Sequence, residues 1–289
     1  MKSLSDFRKQ KDFFVGIDSD GCVFDSMEIK HKECFCPAFV NHYDLQGVSR
    51  FAREVWEFVN LYSTTRGVNR FKAVLRALEL CRERPEVEAR GVEPPQLPGL
   101  IDWTSRESKL GNPALEAEVA ASRDPDLVRA LAWSKDVNDA VAKIVRNVPP
   151  FPSVGSFLSA AGARADLMVV SQTPLDALER EWEEHGIAVS VDFIAGQELG
   201  TKGEHLQGAA ADYKAGHILM IGDAPGDKKA ADAVDAFFFP IIPGREEECW
   251  QELVNTGLGR FFSGTFAGDY ERSLLGDFQK ALPERPPWK

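Results

Sequence analysis

The first strongly apolar run of the chain is Phe13-Phe14-Val15-Gly16-Ile17, and it stops at Asp18. Five residues are too few for a helix, so the run predicts a strand covered on both faces, as parallel strands are. From Met27 to about Asn147 the apolar positions recur every three or four residues instead. Phe51, Val55, Phe58 and Val59 share one helical face, and Phe71, Val74, Leu75 and Leu78 share another. Further helices are expected over about 113–121 and 125–133, with a Pro- and Glu-rich loop over 84–98. Val148-Pro149-Pro150-Phe151-Pro152 reads as a stiff connector, because proline fixes φ and stops a helix. After it the texture alternates. Strands are expected over 167–170, 191–194, 217–221 and 236–239, and helices over 154–161, 203–212 and 228–234. One more helix starts near Pro174, with Thr173 as N-cap and Pro174 in the first turn. Such alternation predicts an α/β core, a doubly wound parallel sheet with helices on both faces, interrupted by a mainly helical insertion. The core is assigned to residues 1–26 and 149–289, and the insertion to 27–148. Past a helix over 246–254, the last residues are expected to be loosely held.

Composition narrows the function. Among 289 residues, 34 Lys and Arg stand against 45 Asp and Glu, a formal net charge of −11. That surface repels a phosphate backbone, so a nucleic-acid partner is not expected. A small anionic substrate remains compatible, since a bound metal ion inverts the local field. No apolar run is long enough to span a bilayer, and the first residues lack the pattern of a signal peptide, so a cytoplasmic protein is expected. Cys22, Cys34, Cys36, Cys81 and Cys249 are an odd number with no metal-ligand spacing and read as packed thiols.

Ligands of a doubly wound sheet sit beyond the carboxyl ends of its strands. Three predicted strands end there in polar residues: Asp18-Ser19-Asp20-Gly21, Ser171-Gln172-Thr173, and Gly222-Asp223-Ala224-Pro225-Gly226-Asp227. Lys202 lies between the last two. Carboxylates this close repel unless a cation or a proton stands between them, and a hard divalent cation suits Asp18 and Asp223. With Mg²⁺ and Lys202 neutralising a phosphoryl group, Asp18 is free to attack it in line. Ser171 can hydrogen-bond a phosphate oxygen, and Asp20 can protonate the leaving alcohol and then deprotonate water.

These pieces, in this order, resemble the four motifs of the haloacid dehalogenase superfamily: Asp18-x-Asp20-Gly21, Ser171, Lys202, and Gly222-Asp223-x-x-x-Asp227. The resemblance covers about residues 12–26 and 149–243. It implies a Rossmann-like core, an aspartyl-phosphate formed on Asp18, and general acid–base work by Asp20. It also implies Mg²⁺ held by Asp18, the Asp20 backbone carbonyl and Asp223, with Asp227 in support. The helical insertion resembles the family's cap, although it is large for that type. Two positions depart from the usual pattern, Cys22 in place of Thr and Gly203 in place of Pro after Lys202. Gly21, Ser171 and Gln172 are expected to contact substrate. In the insertion, the polar turn Thr64–Arg70 offers Arg66 and Arg70 to a distal anionic group. The expected activity is Mg²⁺-dependent hydrolysis of a small phosphorylated metabolite. A phosphomutase and a non-catalytic phosphate- or metal-binding regulator are the alternatives.

Overall fold

The computed structural model describes residues 3–289. Five short strands form one parallel sheet: β1 (Phe13–Ile17), β2 (Ala165–Val170), β3 (Phe193–Ala195), β4 (Ile218–Gly222) and β5 (Phe237–Pro240). Their order is β3-β2-β1-β4-β5. The chain first builds outward from β1 to β2 and β3, then crosses back to place β4 on the other side of β1. The order therefore reverses between β1 and β4, the switch point at which such sheets open a crevice. Register brings the strand ends level, with Ile17 opposite both Val169 and Ile221. Nearly every strand residue is buried, as expected for continuous apolar runs covered by helices on both faces.

The molecule divides into two compact units. The first is Met1–Ser26 with Asn147–Pro283, and the second is Met27–Arg146 with Glu284–Lys289. The first unit holds the sheet and its flanking helices, among them Val154–Gly162, Leu175–Glu184, Lys202–Ala210 and Pro225–Asp232. It also contains a 13-residue helix, Asp269–Ala281, which the sequence pattern did not predict. Its apolar side carries Phe278, whose ring lies tilted against Phe238 of β5 with centroids 5.6 Å apart.

The second unit has no strand. Its helices include Ser49–Asn60, Arg70–Arg82, Pro98–Arg106, Asn112–Ser122 and Pro125–Ile144. They close over an aromatic core in which Trp56, Trp103, Trp133, Phe39 and Phe71 are fully buried. The stretch expected to be one loop holds a short helical turn, Pro85–Glu88, and the start of the Pro98–Arg106 helix. The tail also differs from expectation. Glu284–Lys289 belongs to this unit and not to the core, and it is held there: Trp288 packs on Phe58 at 5.5 Å and on the Arg84 guanidinium at 4.6 Å. No described helix is long and apolar enough to cross a membrane.

Candidate active site

The expected core site residues meet at the carboxyl ends of β1, β2 and β4, all within the first unit. Asp18 follows β1 directly, and its amide donates to the Ile221 carbonyl at 2.9 Å, which locks it beside β4. Asp223 follows β4, and Asp227 lies one turn into the next helix. One carboxylate oxygen from each of Asp18, Asp223 and Asp227 lies within 4.8 Å of the other two, and all three residues are buried. Asp227 reaches this position because residue 222 is glycine. A Cβ there would lie 2.4 Å from the Asp227 Cβ, closer than side-chain carbons approach.

Lys202 enters from the first turn of its helix, which is capped by Thr201 and Glu204 in a reciprocal capping box. Its Nζ lies 2.8 Å from Asp18 Oδ2 and 2.6 Å from Asp227 Oδ1. One ammonium thus bridges two of the three buried carboxylates. Burial raises the pKa of Asp18 well above the carboxylate range; Lys202 opposes the shift, and Asp227 and Asp223 add to it. Asp227 is raised too, by burial and by Asp223, again against Lys202. Burial would lower the Lys202 pKa, but Asp18 and Asp227 outweigh it and raise it. The cluster is short of positive charge, and its donors are hard oxygens lying within 4.8 Å of one another. A hard divalent cation fits these residues.

Asp20 stands apart from the three. Its carboxylate accepts from the Ser26 hydroxyl and, at 2.7 Å, from Thr173 Oγ1. This corrects the expected role of Thr173. It does not cap the helix after β2: Pro174 occupies the N-cap position of Leu175–Glu184, and the Leu175 amide donates to Glu198. Gly21 has φ +75, the left-handed turn that glycine adopts without strain, and its amide donates to the Phe24 carbonyl at 2.8 Å. Ser171 is buried, and its hydroxyl oxygen accepts from the Thr173 amide at 3.2 Å, leaving its hydrogen available to a ligand. The Gln172 side chain donates to the Gly200 carbonyl at 2.9 Å, tying the β2 end to the segment before Lys202.

Two contacts around the site had no separate signal in the sequence. Trp182 donates its indole N–H to Ser19 Oγ at 3.0 Å, and Trp250 donates to the Cys22 carbonyl at 2.8 Å. Both hold the Asp18–Cys22 turn from behind. Cys22 is fully buried, and burial followed by the Asp18 charge pushes its thiol pKa far up, so it is inert packing. His205, one turn beyond Lys202, is also fully buried, with no hydrogen-bond partner for either ring nitrogen among the described residues. Arg66 and Arg70 lie in the second unit. Arg66 is 4% exposed and donates to the Leu61 carbonyl at 2.9 Å.

No protein-family model matches the sequence, and no curated protein matches it. Solved structures do. A protein of Haemophilus somnus 129pt, described as a predicted phosphoglycolate phosphatase, is 14% identical over 82% of this chain and 88% of its own, with a TM-score of 0.47. A predicted phosphatase of Clostridium acetobutylicum is 16% identical over 86% and 92%, with a TM-score of 0.44. A haloacid dehalogenase-like family hydrolase of Xanthomonas campestris is 15% identical over 88% and 97%, with a TM-score of 0.41. This chain is similar to phosphatases and hydrolases of the haloacid dehalogenase type.

Proposed function

We propose that the chain hydrolyses the phosphate monoester of a small metabolite, with Asp18 as nucleophile and Asp20 as general acid and base. The observation that carries this reading is the division of labour among the carboxylates. Asp18, Asp223 and Asp227 are gathered in one buried cluster with Lys202 bridging Asp18 and Asp227, whereas Asp20 is held by Ser26 and Thr173. Bound Mg²⁺, held by Asp18 and Asp223 with Asp227 in support, would supply the positive charge that lets an anionic phosphoryl group approach a carboxylate.

Asp18 attacks phosphorus, and the bond from phosphorus to the ester oxygen breaks. Asp20 passes its proton to the departing alkoxide, which leaves as an alcohol. A water molecule then gives a proton to Asp20 and attacks the phosphoryl group on Asp18, which releases inorganic phosphate and restores the carboxylate. Ser26 and Thr173 suit both states of Asp20, because a hydroxyl donates to a carboxylate and accepts from a carboxylic acid. Ser171 and Lys202 hold the phosphoryl oxygens as charge moves between them.

The test is phosphate release from a panel of sugar phosphates, nucleotides and phospho-acids, with Mg²⁺ or with chelator, alongside Asp18→Asn. Turnover that needs both the metal and Asp18 is expected. Mg²⁺ binding with no release from any ester would sink the hydrolytic reading and favour a mutase or a binding role.

A further inference from the structure

The second unit contains two arginines whose guanidinium groups are drawn out of solvent next to aromatic rings, and they are treated in opposite ways. Arg84 stacks on Phe51 and Trp288, and carboxylates match its charge: Glu54 at 2.7 Å and Glu86 at 3.3 Å. Arg70, the first residue of the Arg70–Arg82 helix, has no carboxylate partner among the described residues. Its guanidinium lies 5.0 Å from the centre of the Phe35 ring. Only neutral groups hydrogen-bond to it, and all through Nη1: Ser134 Oγ at 3.0 Å and Asn138 Oδ1 at 2.7 Å, with the Ser134 carbonyl more distant. Ser134 is fully buried and donates its own hydrogen to Asn112 Oδ1 at 2.6 Å, so its lone pairs face Arg70. Nε and Nη2 make no bond to the protein and are not sealed from solvent. Burial without a counter-ion lowers the Arg70 pKa to about 10.

A part-buried guanidinium held only by neutral groups and an aromatic ring has no counter-ion, and an anion would complete it. Here the completing group meets a guanidinium whose orientation is fixed along one edge while its other donors stay open. That geometry suits an oxoanion gripped by two parallel N–H groups. Phe35 closes a segment, Lys30–Phe35, wound in the wider π form, a local irregularity that sequences retain mainly at functional sites.

We propose that Arg70 anchors an anion-binding site in the second unit that takes a carboxylate or phosphate oxoanion. The anion is a separate small molecule bound within this unit, so the proposal does not rest on the phosphatase reading.

The test uses the full chain, with Arg70→Gln and Arg70→Lys, and malonate as a phosphorus-free probe in calorimetric titration. Malonate should bind the wild type and bind Arg70→Gln about ten-fold or more weakly, with Arg70→Lys between them because it keeps the charge and loses the fork. Equal binding by wild type and variants, or no binding to the wild type, overturns the proposal. Arg70→Lys supplies the comparison should Arg70→Gln not fold. Failure to hydrolyse any ester removes the phosphatase reading and leaves the malonate result standing.

Discussion

The Lys202 ammonium lies 2.8 Å from Asp18 Oδ2 in a buried cluster that holds two further carboxylates. One cation among three anions leaves Asp18 destabilised as a carboxylate, which is the sense of its raised pKa. Removing that charge should therefore stabilise the metal-free fold while abolishing turnover. In chelator at pH 7, Asp18→Asn is expected to unfold at a higher temperature than wild type. With Mg²⁺ added, the wild type should gain more than the variant, because metal binds the folded site and not the unfolded chain. Calorimetric melting curves with and without Mg²⁺ check both signs; a variant that melts lower in chelator would show Asp18 to be net stabilising.

The same cluster depends on an absent side chain. Because a Cβ on residue 222 would collide with Asp227, Gly222→Ala must push Asp227 away from Lys202 and Asp223 or shift the strand end. Overpacking of this kind costs about 1–3 kcal/mol. Denaturant unfolding should report that loss, and Mg²⁺ titration should show weakened affinity. Unchanged affinity would mean that Asp227 does not support the metal.

How far the site could be read from sequence follows from where each interaction is encoded. Asp18, Ser171 and Asp223 were legible because each directly follows a continuous apolar run, and strand ends converge in a parallel sheet. Thr173 was misplaced because Asp20, 153 residues away, captures a hydroxyl that local chemistry would have spent on capping a helix. Nothing local in the sequence reveals that the indole N–H groups of Trp182 and Trp250 hold the Asp18–Cys22 turn. Arg66 and Arg70, alike in sequence, separate only when Arg66 is seen donating to a backbone carbonyl and Arg70 is seen lacking a carboxylate. The helix Asp269–Ala281 was missed because only Phe278 along it is fully buried, so its apolar stripe is thin.

His205 gives the fold a pH dependence. Burial first, then the nearby Lys202 charge, lowers its pKa from 6.5 to about 4. The unfolded chain then binds a proton that the folded chain refuses, so stability is complete above pH 6.5 and falls as pH drops toward 4. The loss over that window is about 3 kcal/mol. Unfolding by urea between pH 4 and 7.5 should show the slope, and His205→Gln should flatten it. An equal slope in the variant would move the effect to other groups.

The C-terminal tail should act on the second unit and not on the sheet. Trp288 covers the Arg84 guanidinium and packs against Phe58, while Lys289 pairs with Glu83. Trp288→Ala strips one ring from a buried arginine, whose charge then rests on Glu54, Glu86 and the Phe51 ring. The lost aromatic and cation–π contacts are worth about 1–2 kcal/mol. Hydrogen exchange resolves where that loss falls. Amides near the end of the Arg70–Arg82 helix and through Pro85–Glu88 should exchange faster in Trp288→Ala, while those of β1 and β4 keep their protection. Faster exchange in the strands as well would mean that the last six residues stabilise the whole chain, and no change in either place would mean that Trp288 contributes nothing to holding the helices of its own unit.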